Sequence, residues 1–125
     1  MSTQPRTATV PVLVVKALEV DEPDWCTDPH TRAQFKPDIT HNGPTSTTDV
    51  VTARYGRIQV LETQLTQAPH GERQPEPLPL LSIRVDIDAT VATEDGQHLA
   101  QALRIAAARL DRALDELAHL RGERR

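Results

Sequence analysis

LSIRVDIDATV, residues 81–91, followed closely by EDGQHLAQALRIAAARLDRALDELAHL, residues 94–120, decides the fold. Leu81, Ile83, Val85, Ile87, Ala89 and Val91 alternate with Ser82, Arg84, Asp86, Asp88 and Thr90. That period predicts a strand with one face on a core and the other in water. The period then changes: Leu99, Leu103, Ala106, Leu110, Ala113, Leu117 and Leu120 recur at fours and threes, with Leu114 alongside. Such a stripe predicts one amphipathic helix, with Thr93 as its N-cap. Glu94 and Asp95 complement the positive end of the helix dipole, and Arg121, Arg124 and Arg125 the negative end. The stripe is expected to pack across the sheet face made by residues 81–91. A heptad-like stripe can also pair with a second copy of the chain or another protein, but this run is short for that.

Upstream, Asp49–Arg54 and Arg57–Gln67 read as a hairpin joined at Tyr55-Gly56. Its second strand is uneven, with Ile58 and Val60 on one parity and Leu61 and Leu65 on the other, which predicts a bulge or burial on both faces. Thr9–Val20 reads as a buried strand with Pro11 near its start. Residues 21–48 form a loop in which Asp28-Pro29 predicts a short helical turn over Pro29–Phe35. Residues 68–79, rich in proline, form an irregular connection. The expectation is an α+β fold: a small antiparallel sheet of about four strands with one long C-terminal helix packed on one face. The expected organisation is a flexible segment 1–7, a single domain 8–121 and a flexible tail 122–125.

Composition narrows the function classes. Of 125 residues, 38% are hydrophobic and only 2% aromatic, so Val, Leu, Ile and Ala must build the core. Trp25, Phe35 and Tyr55 are the only aromatic rings of their kind, too few to stack a nucleic-acid strand. The net charge of −4, with no basic face or helix-turn-helix pattern, also weighs against DNA. Arg104, Arg109 and Arg112 on the helix alternate with Asp111, Asp115 and Glu116, which reads as a solvated face. A single Cys excludes an intramolecular disulfide framework. No apolar run is long enough to span a membrane, and Met1–Pro11 lacks a signal-peptide core, so the cytoplasm is the expected compartment. Asp86 and Asp88 read as a solvated strand face, and His70, His98 and His119 as isolated surface residues.

One segment carries candidate chemistry. Pro23-Asp24-Trp25-Cys26, then His30, then Asp38-Ile39-Thr40-His41-Asn42-Gly43-Pro44 lie in a stretch where acids far outnumber Arg32 and Lys36. Cys26, His30 and His41 supply one thiolate and two imidazoles in a proline-rich loop that needs something to order it. That set suits tetrahedral zinc, with a fourth position taken by Glu22, Asp24, Asp28, Asp38 or water. Four protein ligands would make the site structural, whereas three and a water would leave it able to activate that water. A plainer reading stays open beside it. Trp25 and Cys26 would form a hydrophobic plug, His30 would pair with a carboxylate, and His41 would sit in an Asx-type turn with Asn42-Gly43. Nucleophilic catalysis by Cys26 is a third option, without a recognised signature around it.

These residues resemble an uncharacterised family of small actinobacterial and phage proteins classed as a domain of unknown function. Its Trp-Cys, His and His-x-Gly positions, with Trp25 and the Gly43-Pro44 end as signature residues, are the distinctive part of a resemblance over residues 23–120. The resemblance implies strands closed by a C-terminal amphipathic helix. It also implies a Cys before the proline in some relatives, where this chain has Glu22, so that one ligand is missing or replaced. No activity is implied.

The expected role is a non-enzymatic accessory or interaction protein whose loop is ordered by zinc or by hydrophobic plugging. The alternative is a small metal- or thiol-dependent enzyme using Cys26, His30 and His41. An enzyme should show a concave pocket beside Cys26 and His41, and an accessory protein a closed loop.

Overall fold

A computed structural model of the chain describes residues 5–11, 17–31, 35–71 and 77–123. The chain is α+β, with a two-stranded sheet, a four-stranded sheet and one long C-terminal helix. Six strands precede the helix: β1 (Arg6–Pro11), β2 (Ala17–Glu22), β3 (His41–Asn42), β4 (Ser46–Thr52), β5 (Gly56–Gln67) and β6 (Leu80–Arg84). The helix α1 spans Thr93–Leu120. The chain divides into two compact units, one of residues 1–44 and 65–80, the other of residues 45–64 and 81–125.

In the first unit β1 and β2 pair antiparallel from Arg6↔Glu22 to Pro11↔Ala17. The single strand expected over Thr9–Val20 is therefore two strands, residues 12–16 lying outside the described residues. Arg6 and Thr7, read as part of the flexible N-terminal segment, belong to β1. Among the described residues the buried apolar cluster here is made of Val10, Val20 and Ile39 with Ala8 against it. The helical turn expected over Pro29–Phe35 is not formed at residues 29–31, and residues 32–34 lie outside the described residues. A 3-10 turn comes later, at Lys36–Asp38, where Pro37 sets φ. His41 and Asn42 pair with Gln67 and Thr66 of β5.

In the second unit β4 and β5 form the expected hairpin, starting three residues earlier than expected on the β4 side. Gly56, at φ 69, closes its turn in the left-handed region that glycine enters without a Cβ clash. The register shifts between Thr48, opposite Leu61, and Asp49, opposite Gln59, so Val60 has no partner residue. This bulge explains the uneven pattern of β5, because it turns both Val60 and Leu61 into the core.

The core of this unit consists of Val50, Val60, Leu61, Ala102 and Ala106, with Ile58, Ile87, Leu99 and Leu110 packed on it. The helix presents alanines to β4, and Leu103 on the predicted stripe is 44% exposed. Small residues let the helix backbone approach the sheet, which moves the buried line one position back to Ala102. The strand expected over Leu81–Val91 ends at Arg84, and Ile83 and Val85 are exposed. Alternation marks a pleat only where a partner covers one side, and here the buried line of the helix packs on β4 and β5 instead. Arg109, expected to point into solvent, donates from Nη1 to Thr48 Oγ1 at 3.1 Å.

The helix start also differs from expectation. Ala92 is the N-cap and Thr93 the first helical residue. Asp95, buried in the first turn, accepts from the backbone N–H groups of Ala53 at 2.9 Å and Arg54 at 3.3 Å. It caps the hairpin tip rather than its own helix. Tyr55 completes the tie, its hydroxyl donating to the Thr90 carbonyl and accepting from the Thr90 N–H.

Asp95→Ala removes the buried acceptor of two part-buried hairpin amides, and is expected to destabilise by about 1–2 kcal/mol in chemical denaturation. Ala106→Leu overfills the contact with β4 and is expected to cost about 1–3 kcal/mol. Leu103→Ala, by contrast, should shift the midpoint little, within roughly 0.5 kcal/mol, although the sequence pattern ranks it as core.

Candidate metal centre

Glu22, Cys26, His30 and His41 bring one donor atom each to within 4.8 Å of one another. All four belong to the first unit. Each is placed by a different local device.

Glu22 ends β2 and stands opposite Arg6 in register. Its Oε2 lies 3.3 Å from Arg6 Nε, and Arg6 Nη2 also donates to the Cys26 carbonyl at 2.6 Å. The chain then turns sharply, the Cys26 N–H donating to the Pro23 carbonyl at 3.1 Å. Asp28 accepts the His30 N–H at 2.9 Å across an Asx-type turn. His30 itself sits at φ 52, an uncommon conformation for a residue with a Cβ, which the surrounding bonds must hold in place.

His41 is fixed from the other side. It lies in β3 beside Asn42, not in an Asx-type turn, because Asn42 is committed elsewhere. The Asn42 carbonyl accepts from Thr27 N–H at 2.9 Å, its amide nitrogen donates to Asp28 Oδ2 at 3.2 Å, and its Oδ1 accepts from Thr66 at 3.0 Å. Asn42 thus clamps the loop carrying Cys26 and His30 to the strand carrying His41. Gly43 follows with its N–H on the Leu65 carbonyl. A Cβ there would meet the Trp25 carbonyl at 3.2 Å and the Trp25 ring at 3.6 Å. The Trp-Cys and His-x-Gly positions are therefore two sides of one close approach.

The donor distances are short. Cys26 Sγ lies 3.7 Å from His30 Nε2, and His30 Nε2 lies 3.4 Å from Glu22 Oε1. Metal–ligand bonds of about 2.0–2.3 Å give a tetrahedron edges of roughly 3.3–3.8 Å, so these two pairs already match. The His30 and His41 rings meet edge to face at 5.4 Å. Cys26, His30 and His41 are 5% exposed or less, and the Glu22 side chain 13%. His41 Nδ1 is buried with no hydrogen-bond partner among the described residues. Leaving such an atom unpaired is costly, and a cation would satisfy it.

Burial pushes the Cys26 thiol above its usual range; backbone groups of Asp28 and Asn42 oppose this and Glu22 adds to it. Burial also holds His41 below the usual imidazole range, with His30 adding to the effect. Asp28 is held low chiefly by the His30 N–H it accepts. The cluster accordingly rests as a neutral thiol beside a neutral His41, the imidazole form a metal takes directly.

Of the four sequence candidates for a fourth ligand, the structure gathers only Glu22 with the Cys and the two His. Asp24 and Asp38 are exposed, and Asp28 serves as scaffold. Trp25 is partly buried beside the buried Cys26. His70, read as isolated, lines a cavity of about 660 Å³ shared with Glu22 and His41. Nothing in the spacing of His70 signals this, because it depends on the path of the 68–79 connection. The cluster of Glu22, Cys26, His30 and His41 can hold a metal ion.

Comparison with known proteins adds one relation. No curated protein and no solved structure matches the chain. No helix among the described residues is long and apolar enough to cross a membrane. A family model described as a domain of unknown function (DUF6907) matches residues 7–119, and the chain belongs to that family.

Proposed function

We propose that Glu22, Cys26, His30 and His41 bind a zinc ion whose main work is to order the loop between β2 and β3, in a non-enzymatic accessory or interaction protein. The observation that carries this reading is the buried Nδ1 of His41, partnerless among the described residues, in a group whose four donor atoms lie within 4.8 Å of one another. One thiolate, two imidazoles and a carboxylate suit zinc better than the harder cations, which prefer all-oxygen sites. With four protein ligands the binding energy acts as folding energy for that loop. The Trp-Cys, His and His-x-Gly signature is then the signature of this centre. A partner would meet the helix, where Leu103 and Ile105 stand exposed. The second reading, a small metal-dependent enzyme, is favoured by the cavity beside Glu22 and His41.

Native mass spectrometry of protein purified without a histidine tag is expected to show one zinc per chain, absent from the His30→Ala, His41→Ala double variant. Equal metal content in both, or none in either with thermal stability indifferent to chelator, would sink the metal reading.

The affinity should also depend on pH in a defined sense. Binding takes the proton from the Cys26 thiol, so it releases about one proton and strengthens about tenfold per pH unit above the ordinary histidine range near 6.5. The dependence steepens only at lower pH, where protons compete for His41, whose burial holds it below the usual imidazole range. Competition titrations with a chromophoric chelator measure this slope. A pH-independent affinity would mean that the thiol is not a ligand.

A further inference from the structure

On the metal reading just given, we propose that Glu22 is the exchangeable ligand of the centre, and that the cavity beside it admits a small carboxylate-bearing molecule to the metal in its place. Three of the four donors are sealed from solvent, and Glu22 is the one that is not. Its carboxylate is already divided: Oε1 faces His30 Nε2 at 3.4 Å, and Oε2 faces Arg6 Nε at 3.3 Å. Arg6 is the cross-strand neighbour of Glu22 and carries a planar guanidinium suited to holding both carboxylate oxygens. A rotation of the Glu22 side chain onto Arg6 leaves one corner of the metal open.

The open corner faces a cavity of about 660 Å³, within the range that holds a small molecule. Arg6, Glu19, Asp21, Glu22, Lys36 and His41 are among its lining residues, and Pro23, Pro69 and Pro77 stiffen its wall. Charge selects the ligand. A dication bound to the Cys26 thiolate and the Glu22 carboxylate is neutral. Once Glu22 turns to Arg6, the metal with its thiolate and two neutral imidazoles carries one positive charge. An anionic oxygen donor restores neutrality, and a carboxylate reproduces the donor that left. Lys36 adds a second attraction, while Glu19 and Asp21 on the same wall disfavour a multiply charged anion. No bond other than the metal–oxygen contact is made or broken.

The test uses the full chain loaded with cobalt(II), whose visible d–d bands report the ligand set, titrated with acetate against sodium perchlorate of equal ionic strength. The wild type should show a saturable change with acetate and none with perchlorate. Glu22→Gln should bind acetate at least about tenfold more tightly, since no tethered carboxylate competes for the corner. Should that variant fail to fold, the wild-type titration decides by itself. Bands that form on cobalt addition but are identical in acetate and perchlorate overturn the exchange and leave a closed metal centre standing. Failure of the bands to form at all removes the metal reading and the exchange together.

Discussion

Burying Cys26, His30 and His41 side by side is the constraint around which the first unit is built. Three polar side chains are withdrawn from water there, and among the described residues the apolar cluster of this unit is Val10, Val20 and Ile39. The loop is tied by polar groups, and those ties converge on Asp28 and Asn42, neither of which belongs to the donor set. These ties leave Nδ1 of His41 without a hydrogen-bond partner among the described residues. A protein whose goal was burial alone would place an apolar side chain at position 41. Retaining an imidazole there makes chemical sense when something electrophilic sits against it.

The second unit solves an easier problem by ordinary means. A long helix laid on a bulged hairpin buries alanines against valines and leucines, and Asp95 ties the hairpin tip to the first helical turn. The existence and length of that helix were legible, because a 3.6-residue period sustained over seven turns has no competing interpretation. Its buried line was less so. Leucine spacing ranked Leu103 as core, while backbone proximity favoured Ala102 and Ala106, and proximity depends on the partner surface. The strand at residues 81–91 shows the same limit. Its alternation is perfect in the sequence, yet pairing stops at Arg84, because alternation fixes which side chains share a face and not whether anything lies opposite.

At the donor cluster, the Cys and His positions were legible because such residues are rare in this chain and fall close together. The choice of Glu22 among four acids was not, since it follows from the β1–β2 register that sets Arg6 opposite Glu22. That register runs through residues read from the sequence as one strand, so the pairing could not have been drawn from it. The bulge at Val60 was legible from parity alone, and so was the hairpin it shapes.

Gly43 packs beneath Trp25, which adjoins Cys26 and is the sole tryptophan of the chain. The protein therefore carries a single indole fluorophore, on the residue next to the donor Cys26 and against Gly43. Its emission, excited apart from that of Tyr55, comes from one place, and neither the helix nor the hairpin contributes an indole to it.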